Sequence, residues 1–145
     1  LYYMQGLNIT AAHGHAALFG VYGMLGIGLL LFCLRGLSER ANWSDNLLKP
    51  MFWLLNIGLA MMVLISLVPA GIYQAWASIT KGMWFARSPE VIHSHFMETL
   101  VWLRVPGDVV FAIGCVFLAL FALRLLTGAK RQPAPLMPLA ATKRA

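Results

Sequence analysis

Three long apolar segments, separated by short polar stretches, set the pattern of the chain. They cover approximately residues 11–34, 50–79 and 106–126, and hydrophobic, aromatic and small side chains dominate each of them. A helix needs about 20 consecutive apolar residues to cross the hydrocarbon core of a bilayer. Each segment is long enough, so the pattern predicts an all-α membrane protein with three transmembrane helices.

The connections between the apolar segments carry local signals. Pro69 lies inside the second segment and predicts a kink, because proline lacks a backbone N–H and its ring crowds the preceding turn. Ser88-Pro89-Glu90 is a typical helix start, with a capping residue, a proline in the first turn and an acid near the positive end of the helix dipole. We expect a short surface helix over about 89–103.

Composition agrees with a membrane location. Of the 145 residues, 60% are hydrophobic and 11% are charged, whereas a soluble domain carries about 25% charged residues. The two cysteines, Cys33 and Cys115, form no CxxC or CxxCH motif, which excludes a c-type haem attachment and a cysteine-rich zinc site. No basic segment precedes the first apolar run, so we expect no signal peptide and interpret the sequence as one end of a longer chain.

The distribution of charge predicts an orientation. The formal net charge is +6, and most of the excess lies late in the chain, at Arg124, Lys130, Arg131, Lys143 and Arg144. Basic residues beside an apolar helix mark the cytoplasmic side of a membrane more often than they mark nucleic-acid binding, so no nucleic-acid partner is expected. We expect the basic Pro/Ala-rich tail, residues 129–145, to be cytoplasmic and disordered. The residue 1 end and the 81–104 connection then lie outside.

The motif that points most directly to cofactor binding is His13-Gly14-His15, at the start of the first apolar segment. Successive helix residues turn by about 100°, so side chains two positions apart point to nearly opposite sides. The two imidazoles cannot share one metal ion, but each can hold a different cofactor. A haem with an axial imidazole on either side of the helix fits this geometry. Gly14 and the neighbouring alanines leave room for two bulky groups.

Two other interpretations of these histidines stay open. The first is a pair of interfacial histidines that are simply solvated at the membrane edge. The second is a copper or zinc transport site, to which His93-Ser94-His95 could contribute. That second pair falls on the predicted surface helix, where a solvated position is the simpler interpretation.

The motif leads to a resemblance. In the haem-copper oxidase superfamily a His-x-His on the tenth core helix binds two haems, usually with phenylalanine in the middle in oxygen-reducing members and glycine in nitric oxide reductases. HGHAALFGVYGM, residues 13–24, resembles the nitric oxide reductase version, and WLRVPGDVVFAIG, residues 102–114, is similar to the quinol-dependent branch. The chain thus resembles a C-terminal fragment of the large haem b subunit of a quinol-dependent nitric oxide reductase, covering the last three helices of a twelve-helix bundle.

The resemblance implies residue roles. His13 would be the axial ligand of the high-spin haem b3, and His15 an axial ligand of the low-spin haem b. Asp108 would lie beside the quinol head group, where a carboxylate can accept a hydrogen bond or a proton; otherwise it is a first-turn acid that complements the helix dipole. Arg104 would pair with haem propionates or anchor the helix at the interface. Trp102 would flank a quinol ring or be an interfacial tryptophan.

The implied activity is the reduction of two NO to N2O and water, with electrons from quinol passed through haem b to haem b3 and a non-haem iron. The resemblance places the iron ligands and the other axial ligand of haem b on earlier helices, so the haem-binding segment 1–128 should be inactive alone. The implied partners are quinol, nitric oxide, the lipid bilayer of a bacterial inner membrane and the remainder of the same subunit. Two rivals are a cbb3-type terminal oxygen reductase and a non-catalytic three-helix membrane protein.

Overall fold

The computed structural model describes residues 2–37 and 43–129, which are mostly helical. Three helices in these ranges are long and apolar enough to cross a membrane: Asn8–Leu37 (α1), Asp45–Lys81 (α2) and the span His95–Thr127. No strand occurs in the two described ranges. The prediction of an all-α membrane protein with three transmembrane helices is confirmed, and each helix contains the apolar segment that predicted it.

The connection between α2 and the last span differs from the prediction. Where the sequence predicted one helix over 89–103, the structure has two, separated at Ser94. This residue is extended, and its hydroxyl accepts a hydrogen bond from the N–H of Met97, so it caps a new helix. The connection consists of a 3-10 turn and two short helices: Phe85–Arg87, α3 (Pro89–Ile92) and α4 (His95–Trp102).

The last helix, α5 (Val105–Ala129), follows α4 after a turn at Leu103 and Arg104. Pro106 lies in its first turn, where the missing N–H of proline has no intrahelical partner to lose. Helix α5 therefore begins at Val105, directly after the connection from α4. Asp108 lies in the first turn of α5. The basic tail that follows α5 lies outside the described residues.

Helices α1 and α2 each contain a π-helical segment, in which backbone hydrogen bonds join residues five positions apart. In α2 the segment is Met62–Leu67, shortly before Pro69. The N–H of Val68 donates to the carbonyl of Val63, and this wider register accommodates the proline ring and its missing donor. In α1 the segment is His15–Gly23, which contains no proline, so the register change there has another cause.

Helices α2 and α5 approach each other closely at glycines. A methyl group added to Gly58 would lie 2.6 Å from the backbone nitrogen of Phe111, and one added to Gly114 would lie 2.9 Å from that of Leu55. Both distances are too short for a real contact, so this approach requires glycine. Small residues at helix interfaces let the backbones gain van der Waals contact inside a membrane, where the hydrophobic effect does not drive helices together.

Helix α1 is attached to α2 through its first turns. Gly71 of α2 lies against the backbone of Ile9, and the side-chain oxygen of Gln74 accepts a hydrogen bond of 2.9 Å from the N–H of Asn8. By contrast, no residue of Met24–Leu37 is buried by the described part of the chain. The first turns of α1 are therefore packed, while its distal half is open to lipid or to protein outside this chain.

Candidate functional site

The two histidines of the His-Gly-His motif lie on a continuous helical backbone. Gly14 has φ −58° and ψ −49°, and His15 has φ −63° and ψ −44°. Helical geometry rotates the two side chains by about 200° relative to each other. In agreement, His13 lines a cavity beside α1 whose lining does not include His15. The two rings therefore project from different sides of the helix.

The ring of His15 is held in one orientation. Its Nδ1 lies 2.9 Å from the carbonyl oxygen of Ala11, one turn earlier. A carbonyl carries no proton, so Nδ1–H is the donor and the neutral ring keeps its lone pair on Nε2. Histidines that ligate metals are commonly fixed in this way, by a hydrogen bond from the second ring nitrogen. Nε2 of His15 is thus the ring nitrogen that keeps a lone pair for a ligand.

The π-helical segment of α1 begins at this same histidine. The imidazole shares the Ala11 carbonyl with the backbone N–H of His15. A side chain that enters the backbone hydrogen-bond ladder is a known cause of helix distortion, which gives a physical reason for the wider register. π-Helical turns are frequent at functional sites, and this one coincides with the histidine motif.

A cavity of about 600 Å³ lies beside His13 and has an almost entirely apolar lining. Small-molecule sites in proteins usually occupy about 300–1,000 Å³. The cavity can therefore accept part of a large apolar cofactor next to the exposed imidazole. Its other walls come from the N-terminal segment, the first turns of α1 and the middle of α2: Met4, Gln5, Ile9, Thr10, Ala12, Ala16, Val63 and Val68.

His13, His15 and the apolar cavity beside His13 fit a haem. A porphyrin supplies the equatorial nitrogen donors of its iron, so the protein needs to add only axial ligands, of which imidazole is a common one. A bare metal ion would need several protein ligands, and no group of three histidine, cysteine, aspartate or glutamate side chains forms one within residues 2–37 and 43–129. Single histidines beside an apolar space match a haem better than a zinc or copper ion.

His93 and His95 lie on the surface around α4. The Nδ1 of His93 is 3.9 Å from a carboxylate oxygen of Glu98, and these two side chains are 73% and 57% exposed. Such an exposed pair contributes little to stability. His95 begins α4 and is also exposed. The part of the chain that the structure describes gives these two histidines no third metal ligand.

Arg104 and Asp108 form an ion pair at the start of α5. The Nε of Arg104 lies 3.3 Å from each carboxylate oxygen of Asp108. The two side chains are 37% and 44% exposed, so a small molecule can reach the carboxylate. The sequence predicted separate contacts for these residues, with a haem propionate and with a quinol. The structure brings them into contact with each other.

The start of α5 and the cavity beside His13 flank the same turn of α2. A methyl group added to Gly107 would lie 2.9 Å from the backbone nitrogen of Met62. The next residue along α2, Val63, lines the cavity. Asp108, which follows Gly107 directly, is therefore at the same end of the bundle as the histidine motif.

Trp102, the remaining residue predicted for this region, ends α4. Its side chain is 74% exposed. Within the described ranges its ring pairs with no other aromatic ring, so it is available to a ligand, to lipid or to protein beyond this chain.

Two phenylalanines connect the histidine motif with the start of α5. The rings of Phe19 and Phe111 meet edge to face, with centroids 4.8 Å apart. Phe19 follows His15 by four residues and Phe111 follows Asp108 by three, so each ring shares a helix face with the polar residue before it. The contact thus links the helix of His15 directly to the helix of Asp108. Neither ring was predicted, although this spacing was a signal available in the sequence.

Comparison with known proteins gives two results. Residues 1–110 match the protein family described as cytochrome C and quinol oxidase polypeptide I. The chain is also 33% identical, over 125 residues, to a subunit of the nitric oxide reductase of Stutzerimonas stutzeri. That match covers 79% of this chain and 25% of the relative, so the chain spans about a quarter of the relative's length.

Proposed function

The chain belongs to the haem-copper oxidase family, and from this we propose that it is the C-terminal, haem-binding part of a quinol-dependent nitric oxide reductase. Members of this family are membrane-bound oxidoreductases that contain haem, and this chain shares those properties. The observation that carries the haem-binding part of this proposal is the arrangement of His13 and His15 on opposite sides of α1, with the ring of His15 fixed by the Ala11 carbonyl.

The two histidines are proposed as ligands of two different haems. His15 would hold the iron of a low-spin haem b through Nε2, and His13 the iron of a high-spin haem b3. When bound, a haem supplies an iron that exchanges single electrons and, where an axial position is open, binds a diatomic gas. The contribution of this chain is to orient one ring through the Ala11 carbonyl and to place an apolar cavity beside the other.

Nitric oxide is proposed as the substrate on two grounds. The relative that shares 33% identity is, by its name, part of a nitric oxide reductase. In addition, Gly14 stands in the middle of the motif, where the resemblance places glycine in nitric oxide reductases. The proposed overall reaction is 2 NO + QH2 → N2O + H2O + Q. The quinol QH2 gives two electrons and two protons, so atoms and charge balance without a further reductant.

Asp108 is proposed to bind the quinol. A carboxylate can accept a hydrogen bond from a quinol hydroxyl and take up its proton as the electrons leave. The side chain is 44% exposed, so a molecule that arrives from the lipid can reach it. The contact between Phe19 and Phe111 supports this role because it joins the helix of Asp108 directly to the helix of the histidine motif. Trp102, exposed nearby along the chain, is proposed to flank the quinol ring.

The complete activity needs protein beyond this chain. A non-haem iron requires several histidine and carboxylate ligands at one point, and residues 2–37 and 43–129 hold no such group, so they do not fit that metal. The chain spans 25% of the relative's length. We therefore assign the iron ligands, and the second axial ligand of haem b, to the remainder of a larger subunit, and expect this segment alone to be inactive.

The proposed location is the inner membrane of a bacterium. The residue 1 end would be periplasmic and the basic tail after α5 cytoplasmic. The support is the excess of lysine and arginine in that tail, which favours the cytoplasmic side of a membrane.

The test is gas consumption by the complete subunit that carries this segment, with quinol as electron donor. The proposal predicts consumption of NO, release of one N2O for every two NO, and much slower consumption of O2. A cbb3-type oxygen reductase would show the opposite preference and would contain copper in place of the non-haem iron. A non-catalytic membrane protein would consume neither gas and would show no haem absorbance change on reduction. Either of these results would refute the proposal.

A further inference from the structure

We propose that Arg104 is a positioning residue of the quinol site, which orients the carboxylate of Asp108 toward the quinol hydroxyl. This inference rests on the proposed function and adds a residue to it. Three observations support it: the contact between guanidinium and carboxylate, the fixed backbone beneath the pair, and the partial exposure of both side chains.

The contact engages both oxygens of the carboxylate. The Nε of Arg104 lies 3.3 Å from Oδ1 and 3.3 Å from Oδ2 of Asp108. A donor shared between the two oxygens restricts rotation of the carboxylate and leaves a lone pair on each oxygen for a second donor. The guanidinium places a positive charge directly beside the carboxylate.

The backbone beneath the pair is fixed from two directions. Arg104 lies in the turn between α4 and α5, and its carbonyl accepts a hydrogen bond of 3.1 Å from the N–H of Asp108. Gly107 packs on Met62 of α2 so closely that a methyl group would lie 2.9 Å from the Met62 nitrogen. The two side chains thus project from a rigid helix start, which is what a positioning contact requires.

The partial exposure of the pair suits a binding role. At 37% and 44% exposure the charges are screened less than on an open surface, yet a ligand can still reach the carboxylate. A quinol hydroxyl that donates to Asp108 would meet an acceptor whose orientation is already set, so less side-chain freedom is lost on binding. Removal of Arg104 should therefore weaken quinol binding and leave the haems unchanged.

The experiment measures steady-state NO reduction by the complete subunit with Arg104→Gln, Arg104→Lys, Asp108→Asn or the double substitution Arg104→Gln with Asp108→Asn. Each protein is assayed with quinol and with an artificial donor that reduces the haem directly. We expect Arg104→Gln to raise the KM for quinol about three- to tenfold, the effect of one partly screened charged hydrogen bond. The kcat and the artificial-donor rate should change little. Arg104→Lys should recover part of the KM, because lysine keeps the charge but lacks the Nε–H that contacts Asp108.

The double substitution tests whether Arg104 acts through Asp108. If it does, Arg104→Gln should have almost no further effect on the KM once Asp108→Asn is present. A matched control is Arg124→Gln, an exposed arginine near the other end of the same helix, which should leave both assays unchanged.

The results that would overturn the inference are distinct from those that would overturn the quinol site. Additive effects in the double variant would give Arg104 a separate role. Loss of low-spin haem absorbance in Arg104→Gln, or an equal loss of activity with both donors, would indicate a haem or structural role. Either result, with a quinol-selective defect in Asp108→Asn, would leave the quinol site standing. Equal loss with both donors in Asp108→Asn would refute the quinol role of Asp108 and the role of Arg104 with it.

Discussion

Phe19 of α1 and Phe111 of α5 meet edge to face, with ring centroids 4.8 Å apart and ring planes inclined at 75°. In this arrangement the positive edge of one ring faces the negative face of the other. The contact joins the helix of the histidine motif directly to the helix of Asp108. The relative rotation of the two helices depends in part on this pair.

A double-mutant cycle on these rings should reveal a coupling between α1 and α5. The single substitutions Phe19→Ala and Phe111→Ala should each lower the free energy of unfolding of the complete subunit in detergent. An edge-to-face pair contributes about 0.5–1.5 kcal/mol beyond its buried area, so the double substitution should cost less than the sum of the two by that amount. Phe32→Ala, at an exposed position of α1, is the control and should not couple to Phe111→Ala. Strict additivity of Phe19→Ala and Phe111→Ala would contradict the contact.

Each histidine of the motif should account for one haem. His15→Ala should remove the low-spin haem and His13→Ala the high-spin haem, with most of the other haem retained in each case, because the two rings serve opposite sides of α1. Reduced-minus-oxidised spectra report both haems, and the change on adding CO reports the high-spin one. His93→Ala removes an exposed surface histidine and should retain both. If either motif variant kept both haems, that ligand assignment would be wrong.

Glycine at the interface of α2 and α5 should be far less replaceable than glycine on the open part of α1. A methyl group on Gly58 would lie 2.6 Å from the backbone nitrogen of Phe111, whereas nothing in the described chain lies within 4 Å of one on Gly36. Overpacking of this kind typically costs about 1–3 kcal/mol. Thermal denaturation should therefore show a clear loss of stability for Gly58→Ala and a small change for Gly36→Ala. Equal shifts would argue against close packing through glycine.

Asp108→Asn should separate the use of quinol from the reduction of NO. The amide has nearly the shape of the carboxylate but cannot take up a proton, and proton acceptance by a positioned side chain is worth about a hundredfold or more in rate. We expect at least a tenfold loss with quinol and little loss with an artificial donor, measured as NO consumption by the complete subunit. A folding defect would show as reduced haem content, which the same preparation reports.

Properties imposed by the membrane or by helix geometry could be predicted from the sequence. The bilayer sets a minimum length for any spanning helix, so hydropathy located all three spans. The rotation of about 100° per residue likewise predicts that His13 and His15 lie on opposite sides of their helix. The break at Ser94 did not follow from hydropathy, because a single capping hydroxyl ended one helix and began the next within an amphipathic stretch.

Contacts that depend on where helices begin, or on how they are rotated against each other, could not be predicted. Arg104 and Asp108 are four residues apart, but their contact follows only once α5 is known to start at Val105. The contact between Phe19 and Phe111 needs the register between two spans, which hydropathy does not contain. The π-helical segment of α1 is likewise a product of local competition, here for the Ala11 carbonyl, which composition does not record.

The π-helical segment His15–Gly23 has a consequence for changes in the length of the chain. A helix that bonds residues five apart holds more residues in each turn than one that bonds residues four apart. Deletion of a single residue inside the segment can therefore be absorbed by a return to α-helix, and the helix continues on both sides. The first turns of α1, fixed on α2, and the distal half, Met24–Leu37, would then keep their places. The segment is thus a point where the chain can lose one residue without turning the open half of α1 toward a different neighbour.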